Sequence, residues 1–387
     1  MNGGHGDPPS GSNSQDLERL ARTVRAVAEE ATEWEASAQL PEKIIRDMAA
    51  AGIFGAPISR DFGGLGLSQL EWGKLNCELA RVSSSLRTLV TVHTGLVALT
   101  LQRWGDKAQK NIWLPTLSAG QKIAAFALSE TGAGSDAAAM TSRYTEEVDG
   151  FLLTGEKLWV SFGDRADLFL VFADGLAGPG AFIVPRDTPG LQVAAIGPMM
   201  SLRATAMASL RFDKCRIART ALLGRLGSGF SIIASTALDY GRYSVAWGGV
   251  GLAQACLEAS VKHVLNRQQF GQSLSEFQLV RKLIADMALE FEAARSMAVE
   301  AGRSRDRREP QSTFRTNLAK QTAARAANAT ARSAIQAMGA LGMTQNGPVE
   351  RHFRDAKSLE VIEGTDEIQT QMISEYLFSN LRSFLHE

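Results

Sequence analysis

The sequence has few cysteines, no excess of charge of either sign and no long hydrophobic run. Its three cysteines, Cys77, Cys215 and Cys256, are far apart, which excludes a disulfide framework and a CxxC metal motif. The 41 basic and 41 acidic residues cancel, which excludes a broadly basic binder of nucleic acid or of an anionic membrane as the default. No stretch reaches 18 apolar residues, so no membrane-spanning helix is expected. We therefore expect neither a nucleic-acid nor a membrane partner.

The length and composition predict a large globular protein instead. The chain has 387 residues, of which 45% are hydrophobic, so it can bury a large core. Its length corresponds to roughly two to three domains. Residues 1–13 lack a basic start followed by an apolar run, so we expect a disordered leader rather than a signal peptide, and a cytoplasmic protein. Neutral subunits repel each other little, which favours a homo-oligomer.

Three regions with different patterning predict an α+β multi-domain fold. We expect an N-terminal helical domain over residues 14–125, a small middle β-sandwich or barrel-like domain over 126–228, and a C-terminal four-helix bundle over 229–387. Pro41 and Gly52 stand where a helix of the first region would begin and end. The predicted order along the chain is therefore α, then β, then α.

Local signals support the second and third regions. Asp149-Gly150 separates two strand-like runs, as a hairpin turn does. Apolar residues recur at spacings of three and four over 280–294, which predicts one helix, and the alanine-rich segment 320–338 predicts a second that packs closely against its neighbours. The charged segment 303–311 is the predicted link between these two helices.

Three motifs have both a functional and a structural interpretation. The glycine-rich segment 224–229 resembles a phosphate loop, but it lacks the ending of a P-loop, so a turn before a long helix is favoured. Segment 129–136 has two glycines beside hydroxyl groups, so its backbone can approach a ligand, although such a segment alone is more often a plain turn. Arg267 beside Phe270 is either a phosphate contact or an exposed arginine.

Glu363 is a candidate general base. A carboxylate between apolar residues and Gly364 fits this role, because burial would raise its pKa into the range useful for proton abstraction. In the alternative interpretation Thr365 caps a helix whose first turn is acidic. The segment taken alone favours this second interpretation, and both can hold together. No metal site is predicted, because ligand spacing is absent around three of the histidines, His93, His263 and His352.

Six short motifs follow one another along the chain: 61–66, 128–136, 155–161, 267–271 with Gln278, 336–342, and 354–357 leading to 363–365. In this order they resemble the acyl-CoA dehydrogenase family of flavoproteins, and the resemblance covers about residues 15 to 378. It implies the helical–β–helical architecture, an FAD cofactor and a homodimer or homotetramer. It also implies an acyl thioester substrate and an electron-transfer flavoprotein or another acceptor as partner.

The resemblance assigns cofactor contacts to individual residues. Residues that match the surroundings of the flavin ring are Phe126, Ser129, Trp159 and Ser161. Residues that match segments holding the adenosine half, from a neighbouring subunit, are Arg267, Phe270, Gln278, Gln336 and Gly339. Thr365 and Glu367 match the loop near the FAD of the same subunit.

The resemblance also assigns catalytic and substrate contacts. Glu363 matches the catalytic base. Ser135 matches a residue near the flavin phosphates or the acyl thioester, and Arg242 matches an arginine near the pantetheine–phosphate part of the substrate. Gly364 is assigned to the substrate site with them.

Some positions depart from the family pattern. Thr131 replaces a proline, Ile362 an aromatic residue and Ala340 a glycine, which points away from an ordinary fatty acyl substrate. A narrower resemblance, at 83–87 and 240–248, is to dehydrogenases that prepare extender units in polyketide and nonribosomal peptide pathways.

Three functional hypotheses follow. The first is FAD-dependent oxidation of a small polar acyl group on an acyl carrier protein, of the glyceryl, hydroxymalonyl or aminomalonyl type, with Glu363 as base and FAD as hydride acceptor. The second is an ordinary short-chain acyl-CoA dehydrogenase that forms 2-enoyl-CoA. The third is a non-catalytic flavin scaffold or DNA-binding relative, against which the zero net charge and Glu363 argue.

Overall fold

The computed structural model describes residues 10–345 and 347–385, and its first part is helical. Residues 1–9 of the predicted leader lie outside the described residues, and the first helix begins at Ser10, inside that leader. The helices of this part are α1 (Ser10–Ala26), α2 (Ala31–Ala36), α3 (Glu42–Ala51), α4 (Gln69–Val82), α5 (Ser84–Val90), α6 (Leu99–Trp104) and α7 (Lys107–Ser118). As predicted, α3 begins after Pro41 and ends at Gly52, whose φ of 85° suits glycine.

The middle part consists of two packed β-sheets. Its strands are β1 (Ala124–Ala127), β2 (Arg143–Glu147), β3 (Gly150–Val160), β4 (Leu168–Ala173), β5 (Gly180–Pro185), β6 (Leu191–Ala195) and β7 (Ala208–Ala218). One sheet has the order β1-β4-β5, with β1 parallel to β4, and the other has the antiparallel order β2-β3-β7-β6. Phe151 of β3 packs on Phe182 of β5 with ring centroids 5.0 Å apart, which joins the sheets. The hairpin predicted at Asp149-Gly150 is confirmed by the pairing of β2 with β3.

The last part is a bundle of long helices. A π-helical turn, Gly229–Ala234, follows the glycine-rich segment and continues into the first long helix, so the turn predicted there is confirmed. The elements are α8 (Ser235–Asn266), β8 (Gln268–Gln269), β9 (Gln272–Ser273), α9 (Gln278–Asp306), α10 (Ser312–Met338), α11 (Pro348–Leu359) and α12 (Asp366–Leu385). The predicted link at 303–311 is partly wrong, because α9 continues to Asp306.

Helix α8 lies at the centre of the molecule because its glycines allow close approach. A Cβ placed on Gly249 would lie 2.6 Å from the carbonyl oxygen of Ala323 in α10. A Cβ on Gly251 would lie 2.2 Å from the carbonyl oxygen of Cys77 in α4. These glycines therefore serve packing, and they bring the N-terminal helices, α8 and α10 into one core.

Two classes of feature are not found in the described part of the chain. None of its helices is long and apolar enough to cross a membrane. None of its groups of His, Cys, Asp and Glu side chains could hold a metal ion. His93 serves the core instead, since Nδ1 accepts from the N–H of Ala124 (3.1 Å) and Nε2 donates to the oxygen of Leu117 (3.0 Å).

Candidate active site

Glu363 lies in the tight turn between α11 and α12. Its φ of 57° and the φ of 91° at Gly364 are both in the left-handed region, so neighbouring groups must hold the turn. The carbonyl oxygen of Glu363 accepts hydrogen bonds from Nε of Arg242 and from Nε2 of Gln369, each 3.1 Å long. The carbonyl oxygen of Gly364 accepts one from Nζ of Lys320, 2.8 Å long. Three buried side chains therefore fix the main chain on which the carboxylate stands.

The residues after Glu363 begin α12. Oγ1 of Thr365 accepts a hydrogen bond from the N–H of Ile368 (3.4 Å), so the capping interpretation of this segment is confirmed. Asp366 and Glu367 lie in the first turn, where negative charge is favourable, and Glu367 is exposed. This placement leaves Thr365 and Glu367 at an open helix end, where both remain predicted FAD contacts.

The carboxylate of Glu363 points into the protein. Its Oε2 is out of contact with solvent and has no hydrogen-bond partner among the described residues. A Cβ placed on Gly241 would lie 2.4 Å from this oxygen, so only glycine at position 241 leaves room for it. Burial raises the pKa of Glu363 to about 7, although the charges of Arg242, Arg87 and Lys320 act to lower it. A carboxyl with this pKa can accept a proton near neutral pH.

Arg242, Arg87 and Lys320 are buried cations without an ion pair in the described part of the chain. Burial lowers the pKa of Lys320 to about 8 and that of Arg87 to about 10. The structure places Arg242 beneath the Glu363 main chain, and its pantetheine–phosphate role stays a prediction. We did not predict Arg87 or Lys320 as site residues, although a lysine within an alanine-rich helix was a usable signal.

A network of buried polar side chains lies further along α8 from Glu363. Arg87 donates from one terminal nitrogen to Oγ1 of Thr91 (2.9 Å) and from the other to Oγ1 of Thr88 (3.0 Å), while its Nε has no partner. The hydroxyls of Thr91 and Ser244 lie 2.6 Å apart, and Ser244 donates to Oδ1 of Asn76 (2.7 Å). All five side chains are buried. We call these five residues the polar floor.

Helix α8 sets the spacing between Glu363 and the polar floor. Gly241 contacts the Glu363 carboxylate, whereas a Cβ on Gly248 would lie 2.6 Å from Cδ of Arg87. The two glycines are seven residues apart, which is two turns of one helix face and about 10 Å. Leu96 also packs against Gly241, because a Cβ on Gly241 would lie 2.8 Å from its Cδ2.

Two of the residues predicted to surround a flavin ring are aromatic and only partly covered by the protein. Trp159, at the end of β3, has a φ of 60° and is 51% exposed, and Phe126 of β1 is half-buried. The N–H of Leu158 donates to the oxygen of Ser129 (2.9 Å), which aligns the two segments, and Ser161 follows at once. An aromatic surface flanked by two hydroxyls fits a planar ring with a polar edge, so these residues fit FAD.

The loop that carries Ser135 is open on one side. Ser135 is exposed, and a Cβ on Gly132 or Gly134 would meet nothing within 4 Å. This leaves the loop backbone accessible to a ligand, as the binding-loop interpretation requires. Its assignment to FAD phosphates or to the thioester stays a prediction.

A buried ion pair, which we did not predict, fixes that loop. Nζ of Lys157 in β3 lies 2.7 Å from Oε1 of Glu130 and donates to the oxygen of Leu128 (3.0 Å). Glu130 also accepts hydrogen bonds from Thr141 and Ser142. Burial acts to raise the pKa of Glu130, but these donors outweigh it and lower that pKa to about 2. Both residues lay within recognised motifs, yet their spacing of 27 residues gave no sign of pairing.

The residues predicted for the adenosine half lie at the far end of the bundle. Between Gly241 and Asn266 the α8 helix extends about 38 Å. Helix α9 runs back, because Arg305 near its end pairs with Asp239 of α8 at 2.6 Å. The predicted residues grouped at this far end are Arg267, Phe270, Gln278, Gln336 and Gly339. In one chain they are therefore remote from Glu363.

Comparison with known proteins identifies the family. Profiles for the N-terminal, middle and C-terminal domains of acyl-CoA dehydrogenases match residues 14–121, 125–215 and 227–378. The chain is 35% identical to the human short-chain specific mitochondrial acyl-CoA dehydrogenase over 348 residues, 89% of this chain and 84% of that protein.

Solved structures give the same result. FkbI, for biosynthesis of a methoxymalonyl extender unit, is 34% identical with a TM-score of 0.87, over 93% of this chain and 99% of FkbI. The prolyl acyl carrier protein oxidase AnaB is 25% identical with a TM-score of 0.90, over 96% of this chain and all of AnaB (100%). PigA with FAD and proline is 26% identical with a TM-score of 0.90, over 96% of this chain and 99% of PigA. The chain therefore belongs to the acyl-CoA dehydrogenase family, and it is an FAD-dependent oxidoreductase that acts on acyl thioesters.

Proposed function

We propose that this enzyme oxidises a small polar acyl group carried by an acyl carrier protein, with Glu363 as the base. The observation that carries this proposal is the closed polar floor about two helix turns from the carboxylate. A long apolar acyl chain would have to displace buried polar groups there, and their lost hydrogen bonds would oppose its binding. A short acyl group with oxygen or nitrogen substituents suits this environment better.

The geometry gives Glu363 the means to remove a proton. With a pKa of about 7, its carboxylate is a stronger base than an exposed glutamate and is partly ionised at neutral pH. In the proposed reaction it accepts the proton from the α-carbon of the thioester. FAD, when bound, supplies the acceptor for the hydride from the β-carbon. If oxidation occurs at a C3 oxygen instead, the same carboxylate can take the proton of that hydroxyl or hydrate.

Two similar structures support the carrier-protein part of the proposal. FkbI is described as an enzyme of extender-unit biosynthesis, and AnaB as an acyl carrier protein oxidase. The segments 83–87 and 240–248, which carried the narrower resemblance, meet in this structure, because Arg87 packs on Gly248. Two of the five residues of the polar floor, Arg87 and Ser244, come from these two segments.

We also propose that subunits assemble so that the far end of one bundle completes the FAD site of another. Phe270 is 93% exposed at the tip of the β8–β9 hairpin, and Leu279 and Leu289 of α9 are also exposed. An apolar surface of this kind marks a protein interface. The predicted adenosine contacts lie at this same end, roughly 38 Å along α8 from Gly241. A homodimer or homotetramer would bring them to a neighbouring site.

The test compares a polar and an apolar acyl group on two carriers. The FAD-loaded enzyme is mixed anaerobically with 3-hydroxypropionyl and butyryl groups, each on coenzyme A and on an acyl carrier protein, and flavin absorbance is followed. We expect the polar group on the carrier protein to be oxidised with the highest kcat/KM. Faster reduction by butyryl-CoA would contradict the proposal and favour an ordinary short-chain acyl-CoA dehydrogenase. Absence of reduction by every thioester, with salt-dependent binding of DNA, would favour the non-catalytic alternative.

A further inference from the structure

A second open feature lies outside the site of Glu363. A groove of about 470 Å³ opens between the α6–α7 turn, the glycine-rich turn 224–229 and the start of α8. Its wall includes Trp104, Ile232, Arg225 and Ser228, of which Ile232 and Arg225 are exposed. Hydrogen bonds within the turn hold it, because Oγ of Ser228 accepts one from the N–H of Arg225 (3.2 Å) and donates one to the carbonyl oxygen of Arg225 (2.6 Å). The Arg225 side chain is therefore not needed to hold the turn.

Unpaired basic residues surround this groove. We call Arg103, Lys107, Lys110 and Arg225 the basic rim. None of the four forms an ion pair in the part of the chain that the structure describes. Arg103 lies over the ring of Trp104 at 5.4 Å, and a Cβ on Gly105 would lie 3.4 Å from Cγ of Lys110, which places both beside the groove.

One acidic residue, Asp106, lines the groove, against the four basic residues of the basic rim. Asp106 caps α7 by accepting a hydrogen bond from the N–H of Gln109 (2.8 Å). The amide of Gln109 in turn donates to the carbonyl oxygens of Thr220 and Leu222 (2.8 and 2.9 Å). The opposite wall of the groove is thereby tied to α7. The groove combines an apolar wall with an excess of positive charge, although the whole chain has no net charge.

The groove leads toward Glu363 along α8. From Ile232 to Gly241 the helix rises roughly 13 Å. Thr236 and Tyr240 lie one turn apart on the same side of this stretch, and both are half-buried. Nε1 of Trp104 donates to Oγ1 of Thr236 (3.0 Å), which joins the wall of the groove to this stretch. The wall of the groove and the site of Glu363 are therefore joined through α8.

We infer that the basic rim is the docking surface of an acidic carrier protein, which presents its phosphopantetheine-bound acyl group to the site of Glu363. This inference rests on the proposed function and deepens it. The phosphodiester that joins such an arm to its carrier is an anion, and arginine suits phosphate recognition. Positive charge around the groove would steer an acidic carrier to it.

The experiment uses the FAD-loaded enzyme and the charge-reversal variant Arg103→Glu/Arg225→Glu. Binding of a fluorescent phosphopantetheine-bearing carrier protein is measured by anisotropy, without turnover. Flavin reduction is then compared for one acyl group on the carrier and on N-acetylcysteamine, which has neither phosphate nor protein. We expect the variant to bind the carrier at least about tenfold more weakly, with loss of the salt dependence, and to keep its rate with the N-acetylcysteamine thioester.

The matched control is Lys74→Glu, because Lys74 is exposed on α4 and also lacks an ion pair. We expect it to bind the carrier as the wild type does. Unchanged carrier binding by the charge-reversal variant, or an equal loss with both thioesters, would overturn the inference. A changed oligomeric mass of the variant would instead identify the groove as a contact between copies of this chain, and would also overturn it. If the wild type binds the carrier through the basic rim but oxidises no thioester, the proposed function fails while the docking surface stands.

Discussion

At the scale of the residue, the chemistry depends on one carboxylate surrounded by cations that do not touch it. The sequence indicates Glu363 as a candidate base, because apolar residues precede it and glycine follows, and the structure shows that its Oε2 is buried. The sequence could not predict Lys320 or Arg87, which come from other helices and reach the site only through packing. The raised pKa of Glu363 is therefore a tertiary property, in which burial outweighs three attractive charges.

The pKa of Glu363 predicts how the rate depends on pH. A base must be ionised to act, and the ionised fraction of this carboxyl rises as the pH rises through about 7. We therefore expect the rate of flavin reduction to fall below pH 7 and to level off above it. Stopped-flow reduction of the FAD-loaded enzyme between pH 5.5 and 9 measures this rise of the rate with pH. A rate that does not change over that range would show that ionisation of Glu363 does not limit it.

Lys320→Met tests the role of the buried cation. Its charge acts to lower the pKa of Glu363, so removing it should move the limb of the pH–rate profile to higher pH. Lys357→Met is the control, since Lys357 is exposed on α11 and paired with Glu360 at 2.6 Å. An equal shift in both variants would indicate a general charge effect rather than the specific position of Lys320.

At the scale of the element, the sequence predicts secondary structure well where hydrophobic periodicity and turn residues determine it. The α3 boundaries, the β2–β3 hairpin and the alanine-rich α10 all follow from local patterns. The end of α9 was placed too early, because Arg303 and Arg305 look like linker residues, yet tertiary contacts such as the Arg305–Asp239 pair hold them in the helix. Contacts between distant segments left no signal in the local pattern.

The Glu130–Lys157 pair is such a long-range contact, and its loss should destabilise the middle part. Removing one partner leaves the other charge buried, so Lys157→Met is expected to cost about 3 kcal/mol of unfolding free energy. Urea unfolding at pH 7 measures the loss. The double variant Glu130→Gln/Lys157→Met should lose less than the two single losses combined. If the double variant lost as much stability as the two single variants combined, a direct interaction between Glu130 and Lys157 would be contradicted.

Acid should weaken the same pair. The folded pKa of Glu130, about 2, lies below the unfolded value of about 4.3. Its contribution to stability is therefore fully present above the unfolded pKa and is lost as the pH falls through the folded one. Urea unfolding at pH 5 and pH 3 should show this decline in the wild type and a smaller one in Glu130→Gln. Equal declines would exclude this carboxylate as their source.

At the scale of the whole molecule, two distant ends of the bundle carry different parts of one predicted site. The family resemblance assigned both ends to FAD, but composition and periodicity could not show that they are far apart. The length of α8 shows this separation. We propose that the exposed apolar residues at the far end contribute to assembly. The absence of net charge is compatible with such assembly, because the subunits repel each other little.

Phe270→Asp is expected to weaken assembly and FAD retention together. The exposed ring would lose its apolar partner, and the predicted adenosine contacts would no longer be held against a neighbouring subunit. Light scattering after gel filtration gives the mass, and the ratio of flavin to protein absorbance gives the FAD content. Leu176→Asp is the control, because Leu176 is equally exposed in the loop between β4 and β5. Unchanged mass and FAD content in Phe270→Asp would contradict the proposed interface.

The most direct test of the central claim is single-turnover flavin reduction in Glu363→Gln. The FAD-loaded variant and the wild type are mixed anaerobically with the same saturating acyl-carrier thioester, and the loss of flavin absorbance is timed. Because glutamine cannot accept the proton, we expect the rate to fall by about 10³-fold or more, with FAD content and thioester binding unchanged. Reduction of the variant at the wild-type rate would contradict the role of Glu363 as the base.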